Sequence, residues 1–199
     1  MSAGLAAEID AVPPTLVLGI GNLVCGDEGF GVRAVTELAR GFRIPPEVRV
    51  MDGGTQGLYL LPYVTGCTRL LVLDAIDYGL APGTLRLIEG DEVPRYAANG
   101  KVSVHQTGFQ EVLAAAALLG GGPDELVLIG VQAENLDDWG GSLRPSVRAQ
   151  LEPALARGLE VLRRWGIEPG PRAAPPAGGE GLLGHQLDFA GYERRDGTP

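Results

Sequence analysis

The sequence predicts an α/β sandwich, in which helices cover both faces of a mostly parallel sheet. Short, continuous apolar runs of strand length occur at 15–20, 69–77 and 125–132, and such runs are typical of strands buried on both faces. Segments whose apolar residues recur at helical spacing lie between these runs. Strands that alternate with helices favour a parallel sheet with helical layers on either side. A length of 199 residues fits one domain of this kind.

Nine elements are predicted from local patterns. In chain order they are strand 15–20, helix 28–40, strand 47–53, helix 57–66, strand 69–77, strand 83–90, helix 107–120, strand 125–132 and helix 144–166. The 83–90 segment alternates leucine with more polar positions, which favours an edge strand. Pro62 should interrupt its short helix, and Pro153 predicts a kink or restart in the last helix.

The domain is expected to span residues 15–167. Residues 1–14 are predicted to be a flexible N-terminus. Residues 168–199 are predicted to be a disordered extension, because eight of the fourteen residues in 168–181 are proline or glycine. A segment of that composition cannot bury a core.

Composition excludes several classes of partner. The net charge of −9 argues against nucleic acid, which requires a basic footprint, and against an anionic membrane surface. No apolar run has the length of a membrane span. The first 14 residues lack the basic start of a signal peptide, and two cysteines without CxxC spacing fit a reducing compartment. We therefore expect a cytoplasmic protein.

The segment GIGNLVCGDEGFG (19–31) follows the first strand and raises the possibility of a nucleotide site. Gly19 and Gly21 fit the dinucleotide fingerprint, but Val24 stands at its third glycine position. A P-loop is excluded as well, because Lys101 is the only lysine and the residue directly after it, in NGKV, is valine instead of serine or threonine. Two adjacent carboxylates in the loop also disfavour phosphate. A nucleotide-dependent enzyme is therefore a weak alternative.

The common hydrolase signatures are absent. His105 and His185 are the only histidines and lie too far apart for H-E-x-x-H, and no G-x-S-x-G is present. Cys25 or Cys67 with His105 would make a nucleophile pair. Cys67 has the position of a structural residue, and the acids beside Cys25 should raise its thiol pKa. A thiolate mechanism is thus disfavoured, though it stays open.

Three side chains are predicted to meet at the carboxyl edge of the sheet, where ligand sites of open α/β folds lie. Glu28 follows the first strand, Asp74 lies near the end of the third and His105 precedes a helix. Each also has a structural explanation: a first-turn acid, a loop acceptor and a core histidine. Asp27 is expected to cap the helix that begins at Glu28. Two carboxylates and one imidazole would suit Zn²⁺ or Ni²⁺ at an open site.

Two glycine-rich stretches accompany this cluster. Gly29 and Gly31 lie in the first turn of the predicted helix, where glycine is unfavourable by up to about 1 kcal/mol. The missing side chains would let another backbone approach the carboxylates. DGGTQG (52–57) would form a second open loop at the same edge. Tight turns explain both stretches equally well.

Four segments together resemble the [NiFe]-hydrogenase maturation endopeptidases: GIGNLVCGDEGFGVRAVTEL, DGGTQG, LVLDAID and KVSVHQTGFQEVL. The resemblance covers about residues 15–165. It implies a five-stranded twisted sheet of the phosphorylase-like class. It also implies removal of a short C-terminal peptide from the precursor of the hydrogenase large subunit, after nickel is in place. The metal-contacting positions of the family fall on Glu28, Asp74 and His105.

We also expect a monomer. The resemblance further implies that the protein meets nickel within its substrate, with zinc or cadmium as possible substitutes. Whether the metal activates the attacking water or only serves recognition stays open, as does the choice of Glu28 or Asp74 as general base. A non-enzymatic nickel-binding chaperone is the alternative, because the same three ligands would serve it.

Overall fold

The computed structural model describes residues 13–97, 104–136 and 138–173, with backbone only for 95–97 and 104–107. Most of the predicted N-terminal segment 1–14 and of the extension 168–199 therefore lies outside the described residues. The predicted domain 15–167 is described except for 98–103 and residue 137.

A five-stranded sheet forms the centre of the fold. The strands of the described chain are β1 Thr15–Ile20, β2 Phe42–Arg43, β3 Val48–Gly54, β4 Arg69–Ile76, β5 Leu85–Glu89, β6 Glu125–Gln132 and β7 Gly170–Pro171. The sheet order is β3-β1-β4-β6-β5. All neighbouring pairs are parallel except β5–β6. This confirms the mostly parallel five-stranded sheet and the edge position of the 83–90 segment.

The helices are α1 Phe30–Gly41, α2 Leu61–Gly66, α3 Glu92–Ala97, α4 Val104–Leu118, α5 Pro145–Arg148 and α6 Leu151–Arg164. Short 3-10 turns, Gly26–Gly29 and Gly57–Leu60, precede α1 and α2. None of the described helices combines the length and apolar character that a membrane-spanning helix requires.

Of the two prolines, Pro153 accompanies the predicted restart of the last helix, whereas Pro62 acts differently from the prediction. Pro62 lies at the start of α2 instead of interrupting a helix. The final helical segment breaks at Ala149 and Gln150, and Pro153 lies in the first turn of α6. A first-turn proline removes an N–H that has no partner within the helix, so it does not kink the helix there.

Side chains of the central strands alternate between two apolar cores. On β1, Val17 belongs to the core that contains α1 and α6, whereas Leu16 and Leu18 belong to the core that contains α2 and α4. Strands β4 and β6 alternate in the same way. Helices therefore cover both faces, and the three-layer sandwich is confirmed.

The fold continues beyond the predicted boundary at Ile167. Strand β7 pairs antiparallel with β2, which directly follows α1. Arg172 adds two hydrogen bonds, from its N–H to Gly41 O (2.8 Å) and from its Nε to Phe42 O (2.8 Å). The first residues of the predicted extension thus attach to the domain.

Candidate active site

The carboxyl ends of β1, β3, β4 and β6 form one edge of the sheet, and Glu28 and Asp74 both lie there. Glu28 belongs to the 3-10 turn after β1, and Asp74 is the third residue from the end of β4. Both side chains are buried, with exposed fractions of 9% and 6%. The edge thus carries two buried carboxylates, and a buried carboxylate needs a charged or hydrogen-bonding partner.

Helix α4 begins at the same edge, because a helix that connects parallel strands runs antiparallel to them. His105 lies in its first turn. A Cβ added to Gly108, one turn further, would be 3.3 Å from Gly57 Cα, so this helix start packs against the loop after β3. The side chain of His105 lies outside the described residues. The structure therefore places the backbone of His105 at the predicted edge.

Close backbone packing joins the segment of Glu28 to the strand of Asp74. A Cβ at Gly31 would overlap the carbonyl oxygens of Leu73 and Ile20. The backbone that approaches this glycine is therefore the sheet of the protein itself. The sequence-based expectation that another backbone approaches at Gly31 is therefore met within the domain, as a packing requirement between the turn of Glu28 and β4.

Asp27 connects this turn to the loop after β6. Its Oδ2 accepts hydrogen bonds from the N–H groups of Glu134 (2.9 Å) and Asn135 (3.3 Å), and its Oδ1 accepts one from the N–H of Arg144 (2.8 Å). The turn that follows Cys25 has no side-chain cap. The prediction that Asp27 caps a helix is therefore wrong, because its oxygens bind a distant loop.

Gln132 holds a second loop at the same edge. Its Oε1 accepts hydrogen bonds from the N–H groups of Tyr78 (2.9 Å) and Leu80 (3.2 Å), and its Nε2 donates to Asp77 Oδ1 (3.0 Å). The side chain is buried at the end of β6. The loop after β4, which begins three residues beyond Asp74, is thereby held against β6.

Neither cysteine has the environment of a nucleophile. Cys25 is buried, and Asn22 Nδ2 lies 3.1 Å from its sulfur. Burial raises the pKa of the Cys25 thiol, and the negative charge of Glu28 raises it further. Cys67 precedes β4, remote from the carboxyl edge, and burial raises its pKa to about 11. A raised thiol pKa lowers the thiolate fraction, so the structure disfavours a cysteine mechanism.

Two charged residues at this edge were not singled out from the sequence. Arg33 is 1% exposed, and a Cβ at Gly29 would overlap its guanidinium, so the side chain folds back along α1 toward the turn of Glu28. The sequence signal for the burial of Arg33 is the glycine four residues before it, Gly29, which leaves room for the guanidinium. Asp52 lies near the end of β3, paired with Gly19 of β1. Burial raises the pKa of the Asp52 carboxyl, although the N–H of Gly54 donates a hydrogen bond to it (2.8 Å).

The donor set fits a borderline divalent ion. Two carboxylates and an imidazole are ligands that Ni²⁺ and Zn²⁺ accept, and the absence of a thiolate keeps such a site weak. Among the side chains that the structure describes, no three His, Cys, Asp or Glu groups form a metal-binding cluster. The predicted cluster of Glu28, Asp74 and His105 stays a prediction, because the side chain of His105 lies outside the described residues.

The fold and the edge carboxylates define an α/β protein whose site lies at the carboxyl end of a parallel sheet. The family model for hydrogenase maturation protease matches residues 32–161. The chain therefore belongs to the hydrogenase maturation proteases, which are endopeptidases.

Individual relatives agree with this family. The chain is 54% identical over 180 residues to the hydrogenase expression/formation protein HupD of Bradyrhizobium diazoefficiens, covering 90% of this chain and 94% of the relative. It is 42% identical over 160 residues to the hydrogenase 2 maturation protease of Escherichia coli, covering 80% and 96%. The solved structure of the hydrogenase maturating endopeptidase HybD from E. coli superposes with a TM-score of 0.76 at 41% identity, covering 80% and 98%.

Proposed function

We propose that this protein removes a short C-terminal peptide from the nickel-loaded large-subunit precursor of a [NiFe] hydrogenase. The observation that carries the proposal is the pair of buried carboxylates, Glu28 and Asp74, at the edge where the helix of His105 begins. The family and its named relatives support the same reading.

Burial is what makes these carboxylates suited to a metal that arrives with the substrate. A buried negative charge is unfavourable in a low-dielectric setting and gains most from a cation placed beside it. Glu28, Asp74 and His105 would contact the nickel ion held in the precursor. The ion thus brings the adjacent peptide segment to the carboxyl edge and holds it in one orientation.

Hydrolysis then requires one water and one proton relay. The water oxygen bonds to the scissile carbonyl carbon, the peptide C–N bond breaks, and the released amine takes up a proton. Glu28 or Asp74 would remove a proton from the water as general base. The nickel ion of the substrate would contribute by polarising the carbonyl or by lowering the pKa of the water.

Mixing purified protein with nickel-loaded precursor tests the proposal. We expect the precursor to shorten and one C-terminal peptide to be released, both measured by mass spectrometry. Glu28→Gln keeps the volume of the side chain and removes its charge, so the folded variant should leave the precursor intact. Asp91→Asn, at an exposed turn remote from the site, is the matched control and should cleave at the normal rate.

The same experiment separates the protease from a nickel chaperone. A chaperone would bind or release nickel and leave the length of the precursor unchanged. Processing by a folded His105→Ala variant at the normal rate would contradict the assignment of His105.

A further inference from the structure

The loop after β6 presents a tryptophan to solvent beside the candidate site. Trp139 is 83% exposed, whereas Trp165, the other tryptophan of the chain, is 8% exposed within the core. Val24, in the loop after β1, is 43% exposed. The N–H of Gly140 donates to Val24 O (2.7 Å), and Cys25 and Gly140 form a parallel bridge. Trp139 and Val24 therefore lie on neighbouring, hydrogen-bonded loops, and we call these two residues the Trp139 surface.

The loop that carries the exposed Trp139 is constrained on both sides of this residue. The preceding residue, Asp138, accepts a hydrogen bond from Asn135 Nδ2 (3.0 Å). The two following residues, Gly140 and Gly141, both have φ of +79°, a left-handed conformation that favours glycine and turns the chain sharply. Because the backbone that carries the indole is held on both sides, less loop entropy is lost when a partner covers Trp139.

The charges next to the indole are paired within the same loop. Arg144 forms ion pairs with Asp138 and with Glu134, the latter at 3.6 Å. Among the described residues of this loop, the carboxylates of Glu134 and Asp138 thus share one guanidinium. A partner gains from burying an apolar side chain on Trp139 more than from placing a charge there, because apolar burial carries no desolvation penalty.

Asp27 makes this surface continuous with the candidate active site. It is adjacent to Glu28 in sequence, and its carboxylate holds the N–H groups on both sides of the Trp139 loop, at Glu134 and Arg144. A polypeptide whose scissile bond reaches Glu28 therefore lies beside Val24 and Trp139. The position beside Glu28 indicates one occupant, the protein that is being cleaved.

We propose that the Trp139 surface docks the hydrogenase precursor by receiving an apolar side chain of the folded precursor close to its scissile segment. The proposal rests on the proposed function and adds a binding contact outside the metal-contacting residues. Tryptophan is enriched among the residues that dominate the energy of interfaces, where truncation to alanine often weakens binding by tenfold or more.

Steady-state cleavage of nickel-loaded precursor by the full chain tests the docking contact. Trp139→Ala should raise KM about tenfold and leave kcat within about twofold, because the side chain supplies binding outside the reacting groups. Trp139→Phe keeps an aromatic ring and should recover most of the loss. Leu118→Ala is the matched control. Leu118 is 89% exposed at the end of α4, on the opposite edge of the sheet, so KM should stay unchanged.

Direct titration of the precursor separates this proposal from the proposed function. If the wild-type protein binds but does not shorten the precursor, the protease function fails. A tenfold weaker complex with Trp139→Ala alone would then still support docking. Unchanged KM and affinity in folded Trp139→Ala would overturn the docking proposal while leaving the protease intact. Loss of a homodimer in sedimentation, with unchanged cleavage, would overturn it too, because the surface would then serve self-association.

Discussion

Asp27 accepts three backbone hydrogen bonds from groups 107, 108 and 117 residues away in sequence. A helix cap would satisfy only its own turn and would contribute about 1 kcal/mol. A buried carboxylate that fixes a loop contributes more, because its removal leaves several donors without an acceptor. The turn of Glu28 and the loop of Trp139 keep their relative position through this one side chain.

Asp27→Ala should therefore lower the free energy of unfolding by on the order of 2–3 kcal/mol, above the value of a lost cap. Urea denaturation monitored by circular dichroism measures the change. Asp91→Ala, at an exposed turn, is the control and should change stability by less than about 0.5 kcal/mol. A loss below 1 kcal/mol for Asp27→Ala would contradict the role assigned to its hydrogen bonds.

Cys25 lies three residues from Glu28, but its thiol does not have the lowered pKa of a nucleophile. Because the pKa of its thiol is raised in the folded protein, less thiolate is present at neutral pH than for a free cysteine, and reactivity should increase only as the pH rises. Cys25→Ser should retain precursor cleavage, and iodoacetamide should label the native protein slowly at pH 7. Rapid labelling of both cysteines in denaturant is the control. A folded but inactive Cys25→Ser variant would instead require a thiolate mechanism.

The pairing of β2 and β7 attaches the chain beyond Ile167 to the end of α1. A protein that ends at Ile167 loses this pair and both hydrogen bonds of Arg172, whereas one that ends at Ala173 keeps them. The shorter protein should melt at a lower temperature by about 2–4 °C for each kcal/mol lost. Thermal unfolding of the two truncated proteins provides the comparison. Equal melting temperatures would show that β7 contributes no stability.

Strands were predictable where burial alone determines the pattern. The segments 15–20 and 125–132 match β1 and β6 to the residue, because uninterrupted apolar runs bounded by polar or glycine residues leave few alternatives. The start of α1 was less predictable. The segment Gly26–Gly29 forms a 3-10 turn, and its sequence is also compatible with the first turn of an α-helix.

The candidate site was predictable to the extent that topology determines it. Glu28 follows one buried parallel strand and Asp74 lies near the end of another, so their common edge could be inferred from the strand pattern. The partners of Asp27 could not, because they are backbone groups of a distant loop. The burial of Arg33 was hidden as well, since an arginine in an amphipathic helix usually extends into solvent.

Across the whole molecule, the carboxyl edge is assembled from loops that are tied to one another. Asp27 joins the loops after β1 and β6, and Gln132 holds the loop after β4 against the end of β6. Because the loops around Glu28 and Asp74 are held before the substrate arrives, little reorganisation of the backbone is needed when a cation comes near these carboxylates. The free protein, which offers no thiolate ligand in this set, should bind Ni²⁺ weakly, so chelator treatment should leave its stability nearly unchanged.

The most direct test compares nickel-loaded with nickel-free precursor as substrates for chelator-treated protein. The proposed site requires the nickel ion of the precursor to anchor the scissile segment at Glu28 and Asp74. We therefore expect the loaded precursor to be shortened and the nickel-free precursor to stay intact until nickel is restored to it. Equal rates of processing for both forms would contradict the account and leave Glu28 and Asp74 as a carboxylate pair that acts without metal.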